Sequence, residues 1–163
     1  MATLGHRGCS TPLRGALAGL VGAIVLTAFE RLEWRLLRRR PVYAPTPVGE
    51  RLIRRWLGSR AALPVAGYLL RAVYGPMLTV ALLERGGTRA HALRRGLRFG
   101  LAIYLFELGA MPAVGATPRL SAWPAGERWM LLLHTTAFGL STALASEALA
   151  RVAPCHDGAG RHA

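Results

Sequence analysis

Apolar residues gather in four blocks, 15–29, 61–83, 96–117 and 129–150, separated by stretches rich in arginine, proline and glycine. Three of the blocks reach the roughly 20 residues that a helix rising about 1.5 Å per residue needs to cross about 30 Å of hydrocarbon. The first is shorter in uncharged residues, but ERLEWRLL continues its helical pattern, and arginines at its end can snorkel to the boundary. The pattern predicts an all-α fold: a polytopic membrane protein, a four-transmembrane-helix bundle with spans near 13–36, 61–83, 97–117 and 128–150. This membrane domain, 12–151, is flanked by an N-terminal tail 1–11 and a C-terminal tail 152–163.

The segments between the blocks carry their own signals. Arg38, Arg39, Arg40 and the breaker Pro41 end the first helix near Arg39, and the Pro-rich link PVYAPTP follows. In VGERLIRRWLG, Leu52, Ile53, Trp56 and Leu57 share one arc of the helical wheel, and Arg51, Arg54 and Arg55 lie opposite. Thr46 stands as a cap and Pro47 as the first helical residue. This predicts a short interfacial amphipathic helix, with Arg51, Arg54, Arg55 and Trp56 contacting anionic lipid headgroups or a partner; an amphipathic packing helix fits the pattern equally. Gly75-Pro76 predicts a kink in the second span. Pro112 falls near the end of the third, and the turn-rich TPRLSAWPAGER places Trp123 and Trp129 at interface depth.

Composition supports segregation of polar from apolar surface. Hydrophobic residues make up 52% of the 163-residue chain although its formal net charge is +13, and the mean hydropathy is +0.30. A soluble bundle is the alternative, but too little of each helix is polar enough to face water. The first block follows Arg7 and Arg14 as a signal peptide would, yet no small-x-small cleavage site precedes Glu30 and Arg31, so it is expected to be a retained helix. All the basic residues are arginines. No nucleic-acid module or basic face with interleaved aromatics is present, so the charge is assigned to topology and anionic lipid rather than nucleic acid. Cys9 and Cys155, with His156 and His162, sit in the tails without metal-ligand spacing, and no metal or other cofactor is expected.

The arginines pull the topology two ways. Nine lie between Arg31 and Arg60 and five between Arg85 and Arg98, although four simple spans put those loops on opposite sides. Eleven belong to loops one and three against nine for the termini and loop two, which places the first and third loops in the cytoplasm and both termini outside. A re-entrant second segment broken at Gly75-Pro76 would instead bring both basic loops inside.

A charge at the centre of a bilayer helix costs on the order of 2.5–3.5 kcal/mol on insertion scales, so each demands a partner or a purpose. In the first helix Gly15, Gly19, Gly22, Leu26, Glu30 and Glu33 share one face; in the third, Gly96, Gly100, Ile103, Glu107 and Val114 do. Glu107 is thus expected on a close-packing face, not toward lipid. Counting depth at about 1.5 Å per residue puts Arg71 and Glu107 both at roughly 15 Å, and Glu30 and His134 at roughly 9 Å. This pairs Arg71 with Glu107 and sets Glu30 with His134 in a second polar level, joined by Thr135 and Ser141. Such a pair can fix helix register, or it can belong to a proton or ion path. His91 falls in the basic loop and is expected to be solvated.

Enzyme signatures are missing: the sequence holds no H-E-x-x-H, E-x-x-H, G-x-S-x-G or phosphate-cradling glycine loop. Glu127 and His134 lie two turns, about 10 Å, apart on one helix and cannot share a metal. No catalytic residue is assigned.

The order of a glycine-rich first helix, Tyr74-Gly75 in the second, GLRFGLAIYLFELGAMPAVG in the third, and His134 followed by Phe138-Gly139 in the fourth resembles the small four-helix bacterial inner-membrane proteins of the YagU-like group. The resemblance covers residues 14–149 and implies a multi-pass inner-membrane location without an assigned activity. Two functions are expected from the whole. One is ion, proton or small-solute handling through a polar bundle interior, by a monomer or a homo-oligomer. The other is a structural or accessory subunit of a membrane complex, binding partner helices and anionic lipid.

Overall fold

The computed structural model describes residues 11–38, 41–58, 66–82 and 89–152. Its elements are the helices α1 (Thr11–Leu37), α2 (Pro45–Leu57), α3 (Ala66–Leu82), α4 (Arg89–Ala113) and α5 (Ala125–Val152), with one 3-10 turn at Leu120–Ala122 leading into α5. Among the described residues there is no strand, and the chain is all-α. The described part of each apolar block lies in a helix of its own, except that 114–117 of the third block form the turn after α4. The tail residues Cys9, Cys155, His156 and His162 lie outside the described residues.

Local chemistry sets the ends. α1 stops at Leu37, where Arg38 turns left-handed (φ 54°) and its amide donates to the Trp34 carbonyl at 3.0 Å. α2 starts at Pro45, two residues before the expected Pro47, with Ala44 extended at the cap position and no side-chain cap, so Thr46 falls inside the helix. Both prolines occupy the first turn, where the amides they lack would have no helical acceptor. Gly58 ends α2 in the left-handed conformation (φ 60°). At the end of α4, Gly115 (φ 75°) lets Ala116 N donate to the Met111 carbonyl at 2.9 Å. A Cβ on Gly115 would stand 2.9 Å from Arg55 Cδ, a flexible side chain that can shift, so it is the positive φ that favours glycine here.

α5 packs along both α4 and α1, α3 packs on α1, and α2 lies on α3; α3 and α4 form no extensive contact. α4 and α5 cross backbone to backbone. A Cβ on Gly100 would lie 2.6 Å from the Thr135 carbonyl oxygen, one on Gly96 2.8 Å from that of Gly139, and one on Gly139 would strike the Gly96 carbonyl. The α1 stripe serves likewise: Gly19 lies against Pro76 of α3, and Gly22 against Phe138 and Thr142 of α5. Close approach of this kind adds dispersion contacts that bulkier residues would forfeit.

The interior of the bundle mixes apolar and polar side chains. Ala23, Leu26, Phe99, Ile103 and Phe138 form a small apolar cluster, and Tyr43, Trp123 and Leu131 form another toward the linker. The largest fully buried side chains are nevertheless His134, Thr79, Thr135 and Thr142. Apolar side chains face outward on every long helix, including Ile24 (69% exposed), Met77 (66%), Leu105 (60%) and Leu133 (51%). Among the described residues one helix, over Pro12–Leu36 near the N-terminus, is long and apolar enough to cross a membrane by length and composition. The described part of α3 has 17 residues, and α4 carries Arg94, Arg95, Arg98 and Glu107.

Candidate functional site

α1 and α3 run antiparallel, and their packing brings Glu30 beside Arg71. Arg71 Nη1 donates to Glu30 Oε2 at 2.7 Å and Nη2 to Oε1 at 2.6 Å, a bidentate pair with Glu30 6% exposed. This corrects the expected pairing of Arg71 with Glu107. Depth along the helix axes set Glu30 at a different level from Arg71; which helices are neighbours decided the match. α3 packs on α1 and not on α4, and the long arginine side chain spans the difference in level.

Glu107 is a third member of this group without being the direct partner. It is partly buried and within electrostatic reach of Arg71, Glu30 and Tyr74. It lines an interior cavity of about 60 Å³, together with Leu26 of α1, Arg71 and Tyr74 of α3, Ile103 of α4 and Phe138 of α5. A water needs some 10–15 Å³ on this measure, so the cavity has room for a few. Beside it, Tyr74 of α3 and Phe106 of α4 stack, with ring centroids 6.1 Å apart and planes 28° apart. The cavity lining is largely apolar, with Arg71 and Glu107 as its charged members.

His134 also has a different neighbour from the expected Glu30. Its Nε2 lies 3.6 Å from Glu33 Oε2, and its ring, 1% exposed, meets Phe29 and Tyr43 edge-on at 6.2 and 5.7 Å. Tyr43 Oη donates to the same Glu33 oxygen at 3.0 Å. Burial first, and then the Glu33 carboxylate, push the Tyr43 phenol above its ordinary range, which keeps it a donor. One turn separates Glu30 from Glu33, so each closes its own polar contact, the first to α3 and the second to α5 and the linker. Thr135 and Ser141 do not extend the His134 level: their hydroxyls donate to the Leu132 and Phe138 carbonyls of their own helix.

Glu33, Tyr43, Tyr74 and Glu127 are the residues that sequence reasoning did not assign. Glu33 stood on the α1 glycine stripe, and that signal was sufficient to place it inward. Tyr43 had no periodic signal, because it belongs to the link that folds back under the bundle. There Glu127 Oε2, in the first turn of α5, accepts from Val42 N at 2.9 Å, a favourable place for an acid near a helix N-terminus.

The α2 arginines divide. Arg51, expected at the headgroups, is half-buried, and its Nη1 donates to the carbonyls of Val42 (3.0 Å) and Ala116 (3.3 Å), tying the link to the turn after α4. Its wheel position opposite Leu52 faces other parts of the protein. Arg54, Arg55 and Trp56 are exposed. His91 is exposed in the first turn of α4. At the far end, Arg95 of α4 lies 3.6 Å from Glu147 of α5. Among the described residues no three His, Cys, Asp or Glu side chains converge.

Comparison with known proteins gave no family model, no curated protein and no solved structure that matches the chain. Nothing in these comparisons bears on the YagU-like group.

Proposed function

We propose that the chain is a multi-pass inner-membrane protein in which α1, α3, α4 and α5 span the bilayer, and that its polar interior handles protons or a small cation. The observation that carries this reading is Glu107. It lines a water-sized interior cavity, while Arg71 beside it is already engaged by Glu30. A carboxylate in hydrocarbon without a direct ion-pair partner is neutralised by a proton or a cation. Outward-facing leucines, isoleucine and methionine on all four long helices support the membrane placement.

The test is flux. Purified protein in liposomes holding a trapped pH dye, with an imposed potential, should acidify or alkalinise the lumen faster than empty liposomes. Glu107→Gln should abolish the difference while leaving the bundle folded. Wild-type flux equal to that of empty vesicles contradicts the reading.

A second reading is a structural or accessory subunit. It is favoured by the broad apolar face that α4 presents through Leu101, Leu105 and Phe106, with Arg54, Arg55 and Trp56 exposed on α2. It predicts co-purification with a larger membrane complex that is lost on neutralising Arg54 and Arg55.

A further inference from the structure

The outer seam between α1 and α3 carries a recess separate from the Glu107 cavity. It is open and shallow, about 410 Å³, and walled by Leu20, Ile24 and Ala28 of α1 and Tyr68 and Ala72 of α3, with Arg31 at one end. The one hydroxyl on the α1 wall, that of Thr27, is turned back onto the Ala23 carbonyl at 2.7 Å, which leaves the wall apolar. At the mouth, the Arg31 guanidinium stands 5.7 Å from the centre of the Tyr68 ring. Arg71, which borders the same recess, is neutralised by Glu30. Among the described residues no ion pair joins Arg31 to a carboxylate; Glu30, which also feels Arg31, is held by Arg71, so two arginines border the recess against one carboxylate and its mouth is net positive.

The dimensions match one leaflet. Leu20 to Arg31 is eleven residues, about 16 Å along the helix, against about 15 Å for half of a hydrocarbon core of roughly 30 Å. Arg31 stands where α1 approaches its loop end, so its charge falls at headgroup level while the apolar floor runs toward the midplane.

We infer that this recess is a binding site for one anionic phospholipid, with an acyl chain along the α1–α3 seam and the phosphate on Arg31. Tyr68 holds the guanidinium over the mouth through its ring face. The inference rests on the membrane placement proposed above but not on proton handling.

The test is the thermal midpoint of the full chain in neutral detergent, titrated with phosphatidylglycerol, with phosphatidylcholine of the same chains, or with glycerol phosphate. The wild type should respond to phosphatidylglycerol at about fivefold lower concentration than to phosphatidylcholine, the factor expected for one basic residue near an anionic surface. Arg31→Gln should erase that preference. Ala28→Phe, which fills the floor at an exposed position, should weaken the response to both lipids, and glycerol phosphate should have no effect. Equal responses to the two lipids, a preference that survives Arg31→Gln, or a full effect of glycerol phosphate alone would each overturn the site. A protein that stays dispersed with no detergent would instead overturn the membrane placement itself.

Discussion

Arg71 and Glu30 face each other across the α1–α3 seam with both guanidinium nitrogens on both carboxylate oxygens, at 2.7 and 2.6 Å. This pair ties the only strongly basic side chain within α3 to the helix beside it. Register between α1 and α3 is fixed by it together with the contact of Gly19 on Pro76.

Removing one partner of a buried ion pair costs about 3–5 kcal/mol, because the other charge is left uncompensated. We predict losses of that size for Arg71→Leu and for Glu30→Leu, and recovery of most of the loss in the double variant. Unfolding in mild detergent measures the cycle. Additive effects would show that the two side chains do not act as a pair.

Tyr43 links pH to stability. Its phenol is pushed above the ordinary value of 10.0 by burial and by Glu33, so the unfolded chain loses the proton first as pH rises. The stabilisation is complete below about pH 10 and declines as pH rises toward the folded value. Tyr43→Phe should lose about 1 kcal/mol at neutral pH, the net worth of one hydrogen bond, and should show less decline above pH 10 than the wild type. Identical alkaline profiles would remove Tyr43 as the cause.

The α4–α5 crossing predicts opposite signs for two glycines on neighbouring helices. Gly139→Ala places a methyl against the Gly96 carbonyl and the Gly100 backbone, which cannot move aside as a flexible side chain would. It should destabilise by about 1–3 kcal/mol, as overpacking does. Gly109→Ala meets nothing within 4 Å and should stabilise by roughly 0.5–1 kcal/mol through helix propensity. Thermal melts of the two variants decide this, and equal shifts would contradict the close crossing.

Arg51 and its neighbours on α2 separate fold from surface. Arg51→Leu leaves the Val42 and Ala116 carbonyls without their donor, so it should lower stability by about 1–3 kcal/mol. Arg54→Gln with Arg55→Gln should leave the melting temperature nearly unchanged and weaken only binding to anionic vesicles. A vesicle-binding defect in Arg51→Leu alone would reverse this assignment.

The helices were legible from the sequence, and the pairings between them were not. Four apolar blocks and one amphipathic segment correspond to α1, α3, α4, α5 and α2, because length, periodicity and breakers are local properties. The inward direction of Glu30 and Glu33 was also legible, since both continue a glycine stripe that other helices must approach. Partners were a different matter. Depth alone matched Arg71 to Glu107 and set Glu30 at another level, whereas the adjacency of α3 to α1 gives Arg71 to Glu30. His134 met Glu33 and Tyr43 because the link after α1 folds under the bundle, a long-range event with no periodic trace. Arg51 sat on the polar arc of its wheel, yet two carbonyls distant in sequence claim it.

The measurement closest to the core of the proposal is the environment of the outward apolar faces. With Cys9 and Cys155 replaced by serine, spin labels at Ile24→Cys, Met77→Cys, Leu105→Cys and Leu133→Cys sample α1, α3, α4 and α5 in turn. A multi-pass bundle predicts high accessibility to oxygen and low accessibility to a water-soluble nickel chelate at all four positions in reconstituted vesicles. Free access of the chelate to the α3, α4 and α5 labels would contradict it, leaving at most the Pro12–Leu36 helix in the membrane.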